Sequence, residues 1–156
     1  MEGISSQAPV QPGEINSRIA HQLKRKQVRY TKARRLVIRA LQRAPGPQSA
    51  SDLHRKLRTS VPLSSLYRTL STLDEAGVLG RLHGPKGVAR YELAEWLTGH
   101  HDHLVCVECG ATEDIELAND LETSISGFAR RLEGSSRFEV SGHSLQLEGT
   151  CEDCRR

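Results

Sequence analysis

Up to residue 77 the chain repeats its apolar residues at helical spacing. In INSRIAHQLKRKQ (15–27), Ile15, Ile19 and Leu23 share one face. ARRLVIRALQRA (33–44) sets Leu36, Val37, Ala40 and Leu41 at intervals of three and four, and PGP (45–47) stops it. SASDLHRKL (49–57) opens with Ser49 three residues before Asp52, a capping box with Asp in place of the usual Glu. PLSSLYRTLSTLDEAG (62–77) carries Leu66, Leu70 and Leu73 as one stripe, with Ser64 as the expected N-cap and Gly77 as the stop. Beyond Gly77 the period shortens. VLGRLHG and VARYEL flank the turn signal PKG and predict a hairpin. Helices followed by such a hairpin make a winged helix-turn-helix. Further on, ATEDIEL, ANDLETSISGFARRLEG and FEVSGHSLQLEGT predict strand, helix and strand, so the fold class is α+β.

Charge divides the chain at the end of the hairpin. Residues 1–91 hold 17 Lys and Arg against 5 Asp and Glu, and residues 92–156 hold 5 against 14. A basic lobe joined to an acidic one suggests that the first faces a polyanion, although a charged run is also an ordinary solvated surface. The start, MEGISSQAPVQPGE (1–14), reads as a flexible leader and lacks the pattern of a secretory signal. No apolar run approaches the roughly 18 residues of a membrane span, and the expected location is cytoplasmic. Four cysteines in that compartment favour metal binding over a disulfide framework.

In a helix-turn-helix reader the second helix of the motif enters the major groove. Here that helix is 64–76. Its apolar stripe faces inward and leaves Ser65, Tyr67, Arg68 and Ser71 on other faces. Arg68 can donate two hydrogen bonds to guanine, and Tyr67 can pack on a thymine methyl and reach a phosphate. The plainer alternative is a half-buried Tyr67 and an Arg68 that merely covers surface. Arg29, Lys32, Arg34 and Arg35 can meet phosphate or enter a minor groove. His21 and His54 have no partner ligand nearby in sequence and read as surface or core histidines.

The acidic half holds the metal-ligand chemistry. Cys106 and Cys109 form one C-x2-C pair, Cys151 and Cys154 another, with 41 residues between the pairs. Two such knuckles can enclose one tetrahedral Zn²⁺. One pair alone would equally suit a redox dithiol. Just upstream, GHHDHLVCVECG (99–110) places His101 and His103 on one face of an extended segment and His100 and Asp102 on the other. Two further sites on opposite faces are the natural reading, with a polar histidine loop as the alternative. At an ordinary imidazole pKa of about 6.5, metal binding there would weaken from about pH 7.5 to 6.

These stretches together are similar to the ferric uptake regulator family. HHDHLVCVECG resembles its signature, YTKARRLVIRAL its second helix, SSLYRTLSTLDEAGVL its recognition helix and HSLQLEGTCEDC its last strand and second knuckle. The resemblance runs from about residue 15 to 154. It implies a winged-helix DNA-binding domain, a small α/β dimerisation domain with a four-cysteine zinc site, and a homodimer on double-stranded operator DNA. The expected divisions are a leader at 1–14, the winged helix at 15–91, a hinge at 92–99 and the metal-binding dimerisation domain at 100–156. Structural zinc, one per subunit, would sit on Cys106, Cys109, Cys151 and Cys154. The regulatory metal would sit on Glu92, His101, His103 and Asp114, and an additional metal on His100, Asp102, Glu122 and His143. The family often adds a histidine from the N-terminal lobe. Pro47 and Gln48 stand there in this chain, and His83 of the wing is the candidate replacement.

The expected function is metal-responsive repression, with no catalysis. Imidazole and carboxylate without thiolate suit Fe²⁺, Mn²⁺, Ni²⁺ or Zn²⁺. The absence of a hinge cysteine favours iron over zinc sensing, and Glu92, where peroxide sensors usually carry Asp, disfavours peroxide sensing. Rivals of other classes are a zinc hydrolase and a zinc-stapled adaptor. The chain lacks H-E-x-x-H and the H-x-E of deaminases, and the basic recognition helix argues against an adaptor.

Overall fold

A computed structural model describes residues 12–156, the side chain of Pro12 excepted. Most of the expected leader, residues 1–11, lies outside the described residues. Its last three positions are helical, because helix α1 runs from Pro12 to Arg25. Proline presets the dihedral angle of a first turn, and Glu14 there suits the positive end of the helix dipole.

Helix α2 spans Lys32–Gln42, and the hydroxyl of its N-cap Thr31 accepts from the Arg34 N–H. Val37, Ile38 and Leu41 form its buried face, so Ile38 takes the place expected for the half-buried Leu36. Strand β1 (Gln48–Ser49), which has no periodicity to announce it, leads directly into α3 (Ala50–Leu57). The Ser49–Asp52 capping box is complete: each side chain accepts from the other's backbone N–H at 3.1 Å. Helix α4 spans Leu63–Glu75 and starts one residue earlier than expected. The Pro62 carbonyl accepts its first bond, from the Leu66 N–H, so Ser64 lies within the first turn and caps nothing. Gly77, at φ +70°, closes the helix: its N–H reaches the Asp74 carbonyl, and the Val78 N–H reaches that of Leu73.

Strands β2 (Leu79–His83) and β3 (Ala89–Leu93) form the wing. Lys86, at φ +58°, turns the chain between them. Strand β3 lies between β1 and β2, antiparallel to both. The segment expected as a hinge contains parts of two elements. Glu92 and Leu93 end β3, and a single helical turn, α5 (Glu95–Thr98), follows. Leu97 of that turn is fully buried in the core of the winged lobe with Ile19, Leu23, Ile38, Leu53, Leu66, Leu70 and Leu73.

The second lobe is a three-stranded sheet with one helix. Strand β4 (Asp102–Cys106) pairs antiparallel with β5 (Thr112–Ile115) and parallel with β6 (Gln146–Gly149). Helix α6 (Asn119–Ser135) connects β5 toward β6. The last strand, expected from Phe138 onward, is confined to residues 146–149. Phe138 is 80% exposed, and residues 138–145 lie in no sheet of this chain.

The winged core should be intolerant of cavities. Leu66→Ala, at a fully buried position, is expected to destabilise the fold by about 2–5 kcal/mol. Leu104→Ala, at a 41% exposed position, should cost the isolated chain much less. Chemical denaturation of the two variants checks the contrast.

Candidate metal centres and nucleic-acid interface

Three sets of donor atoms converge in the second lobe and its junction with the wing, and within each set the ligand atoms lie within 4.8 Å of one another. They are the three sets expected from sequence.

The first is Cys106, Cys109, Cys151 and Cys154. None of the four is in a disulfide. Cys109 Sγ and Cys151 Sγ are 3.7 Å apart. Four sulfurs at about 2.3 Å from a tetrahedral zinc would be about 3.8 Å apart, so the spacing fits the ion. Backbone N–H groups of Cys151 and Ala111 point at the sulfurs of Cys106 and Cys109. Backbone donors, Cys109's first, hold the Cys106 thiol down at about 6, while the neighbouring thiols, Cys151's first, push Cys154 up to about 12. A cluster that already favours one thiolate and crowds the rest is suited to a soft divalent cation.

The second set joins the two lobes. Glu92 comes from wing strand β3, His103 from β4, Asp114 from β5, and His101 from the residues just before β4. The register that pairs His103 with Asp114 brings those two together. Glu92 Oε2 lies 2.9 Å from His101 Nε2 and 3.2 Å from His103 Nε2. Asp114 Oδ1 stands 3.9 Å and 3.8 Å from the same two nitrogens. His101 Nδ1 is 3.1 Å from the Gly99 carbonyl. A donated bond there fixes the tautomer and frees Nε2 for a ligand. Gly99 sits at φ +89°, a conformation that favours glycine.

Burial alone would raise the Glu92 pKa, but hydrogen bonds from His101 and then His103 outweigh it and lower it. The bond to Glu92 raises His101 to about 9 against the opposing effect of burial, and burial raises Asp114. The pairing with Glu92 thus favours the protonated form of His101. A divalent cation would replace that proton and find two imidazole nitrogens and two carboxylates, a donor set that fits a borderline or hard metal.

The third set is His100, Asp102, Glu122 and His143. His100 Nε2 is 3.1 Å from His143 Nε2, 3.7 Å from Asp102 Oδ2 and 3.8 Å from Glu122 Oε1. Asp102 is 1% exposed; its Oδ1 accepts from the Leu145 N–H, and its Oδ2 has no hydrogen-bond partner. A bare, buried carboxylate oxygen facing two imidazoles fits a cation. Glu95 of α5, which sequence reasoning missed, holds His100 Nδ1 at 3.1 Å and leaves Nε2 toward the cluster. A carboxylate five residues from a histidine carries no spacing signal of its own.

His83 does not join these groups. Gly80 is the strand neighbour of Glu92, whereas His83 pairs with Ala89, three residues nearer the tip of the wing. The ladder therefore carries it about 10 Å from the level of Glu92.

On α4, Tyr67 is 56% exposed and so not half-buried. Arg68 and Ser71 are exposed and Ser65 is partly so. The Ser71 hydroxyl lies 3.1 Å from Glu75 Oε1. Arg29 is exposed, and its carbonyl accepts from Arg34. Arg35 lies over the ring of Tyr30, 4.9 Å from its centroid. His21 is exposed and His54 partly buried, both outside the three clusters.

Fold and donor sets together define a class: a winged-helix protein whose following α/β lobe is built around candidate metal centres. Residues 25–148 match the Ferric uptake regulator family. The chain is 33% identical over 144 residues to the Ferric uptake regulation protein of Bacillus subtilis (strain 168), a match covering 88% of this chain and 92% of that one. It is 37% identical over 108 residues to that of Vibrio parahaemolyticus serotype O3:K6 (strain RIMD 2210633), covering 67% of this chain and 68% of that one. The solved structure of the Vibrio cholerae ferric uptake regulator superposes with a TM-score of 0.68 at 29% identity, covering 85% of this chain and 98% of the other. This chain belongs to the Ferric uptake regulator family, whose members are metal-responsive transcriptional regulators and not enzymes. Among the described residues no helix is long and apolar enough to cross a membrane.

Since His101 holds its proton up to about pH 9 in the metal-free site, metal must displace it over a wider range than an ordinary imidazole pKa suggests. Below pH 9, affinity for Mn²⁺ at Glu92, His101, His103 and Asp114 is expected to fall by roughly tenfold per unit of pH, with one proton released per ion bound. Calorimetric titration in buffers of different ionisation enthalpy measures that proton. Binding at pH 7 without proton release would show that the His101 pKa is not raised by Glu92 in this way.

Proposed function

We propose that this chain is a cytoplasmic, homodimeric repressor whose grip on operator DNA is switched on by a regulatory metal at Glu92, His101, His103 and Asp114. The observation that supports this most directly is that the site draws Glu92 from the winged lobe and its other ligands from the lobe that follows. A metal bound there favours one arrangement of the two. If that arrangement is the one whose recognition helices match two half-sites, metal shifts the population toward the DNA-binding form. This reading keeps the divisions proposed from sequence, 15–91 for the DNA-binding lobe and 100–156 for the metal-binding dimerisation lobe.

Zn²⁺ at the four cysteines is structural in this reading, and the set around His100 and His143 is an additional metal site. Fe²⁺ is the favoured regulatory ion. The regulatory set contains no thiolate, and the B. subtilis and V. parahaemolyticus relatives are named ferric uptake regulation proteins. Zn²⁺ and Mn²⁺ suit the same donors, and one similar structure, 26% identical with a TM-score of 0.65, is a zinc-bound manganese uptake regulator. Dimerisation is supported by an uncovered apolar surface. Helix α6 buries no side chain, and Leu121, Phe128, Leu132 and Phe138 are 45%, 55%, 42% and 80% exposed. Apolar area of this kind marks an interface.

Arg68, Tyr67, Ser65 and Ser71 are the proposed base-facing residues, and Arg29 a phosphate contact. The test is a gel-shift titration on genomic fragments with Fe²⁺, Mn²⁺ or Zn²⁺ added separately. The wild type should gain affinity with metal. Replacing His101 and His103 together with Ala should abolish that gain while leaving a folded dimer with cysteine-bound zinc. If the double variant is still activated, sensing lies elsewhere, most directly at His100, Asp102 and His143. Arg68→Ala should cost about 1–3 kcal/mol of preference for the selected sequence, whereas Arg29→Ala should weaken binding evenly across sequences.

A further inference from the structure

The regulatory cluster needs β3 to sit at a fixed distance from the sheet that follows, because Glu92 is on one and His103 and Asp114 are on the other. Two close contacts, each at a glycine, lie between the wing and that sheet. Gly46 is buried in the loop between α2 and β1 and lies flat against β5. A Cβ there would collide with the Thr112 carbonyl oxygen and stand 3.3 Å from Asp114 Oδ1. The second contact is at Gly110, in the turn after Cys109. A Cβ on it would lie 2.9 Å from a terminal nitrogen of Arg90.

Arg90 is 8% exposed, an unusual place for a guanidinium. It donates to the Pro47 carbonyl at 3.1 Å and faces Asp52 Oδ2 at 3.4 Å. It thereby pins the loop that carries Gly46. Arg90 and Glu92 are two residues apart on β3, so they share a face. One meets the turn at Gly110, and the other meets the two histidines. The turn is itself braced, since the buried Thr112 hydroxyl donates to the Gly110 carbonyl at 3.1 Å.

We propose that Gly46 and Arg90 are positioning residues for the regulatory metal: they seat the winged lobe against β5 and the cysteine turn so that Glu92 reaches His101, His103 and Asp114. The inference rests on the reading of that cluster as a metal site. Gly46 has no positive φ, so alanine meets no backbone strain, and the obstacle to it is the other lobe.

The test uses the full-length, zinc-loaded chain carrying His143→Ala, which removes a ligand of the additional site. Free Mn²⁺ is followed by electron paramagnetic resonance, and unfolding by thermal melting. Replacing His101 and His103 with Ala must first abolish Mn²⁺ binding; if it does not, the metal-site reading itself fails. Given that loss, Gly46→Ala should lower Mn²⁺ affinity by about fivefold or more, as couplings between parts of a protein commonly do. Melting of the metal-free protein and the cysteine-bound zinc should be little changed. Gly134→Ala is the control, because a Cβ there meets nothing within 4 Å. Unchanged Mn²⁺ affinity in Gly46→Ala, or an equal loss in the control, overturns the proposal. A shift in melting with no shift in affinity also overturns it, since that is the mark of a merely structural glycine. If Gly46→Ala does not fold, Arg90→Lys decides. Its ammonium cannot both lie against Gly110 and hold Pro47, so Mn²⁺ affinity should again fall, and an unchanged affinity counts against the proposal.

Discussion

Glu92 leaves the winged lobe on one face of β3 and places a single oxygen 2.9 Å from His101 and 3.2 Å from His103. A partly buried carboxylate between two imidazoles costs desolvation whatever its partner, and it is tolerated only where the charge is matched. A proton on His101, which the hydrogen bond to Glu92 favours, can supply the match. A divalent cation would supply it more fully. In the proposed reading the same carboxylate would be an ion pair in one state and a ligand in the other, and either would tie the wing to the sheet that follows. Loss of Glu92 would remove the winged lobe's ligand from the cluster, leaving the other three on the second lobe.

The second lobe depends on such ties because it builds little core of its own. The large buried cluster is drawn from the winged lobe and Leu97, whereas the lobe beyond residue 100 contributes Val105 and Cys106 to the buried apolar residues and none from α6. Small lobes of this kind commonly need a metal or a second subunit. The cysteine cluster can fasten β4 to the C-terminal turn, across 41 residues of intervening chain. The exposed face of α6 is left for a partner. In the proposed reading, metal chemistry and association would take over work that apolar packing does in the first lobe.

Much of this was legible in the sequence, for identifiable reasons. The helical stripes, the Ser49–Asp52 box and the Gly77 stop are local patterns with local causes, and each appears where its spacing places it, except that Ile38 takes the place of Leu36 on the buried face of α2. The alternation of His100 to His103 was enough to separate two clusters, because opposite faces of an extended chain cannot share a ligand sphere. What sequence did not disclose depends on register and on contact between lobes. The wing ladder sends His83 toward the tip and away from the donor cluster at Glu92. Proline as the N-cap displaces Ser64 from its expected role. Phe138 to Ser144, expected to begin the last strand, lie in no sheet of this chain, and only at Leu145 does a carbonyl accept from the His103 N–H of β4. Glu95, Gly46 and Arg90 gain their meaning from residues distant in sequence or from a turn that no periodicity predicts.

His100 and His101 are adjacent yet belong to different clusters, and the short segment before them explains how. Helix α5 is anchored to the winged lobe by the buried Leu97 and by Trp96, whose indole N–H donates to the Gly77 carbonyl at 2.8 Å. From that anchored turn Glu95 holds His100, and the Gly99 carbonyl holds His101. The outer nitrogen of each ring is thus oriented from the same four-residue helix and its glycine cap, while the inner nitrogens face separate donor sets. Gly99 needs its positive φ to end α5 and present its carbonyl to His101. The end of α4, marked by Gly77, is in this way connected through Trp96 and α5 to the histidines. The helix proposed to read DNA and the two thiolate-free clusters are therefore connected through α5, by hydrogen bonds at Gly77, His100 and His101 and by the chain between them.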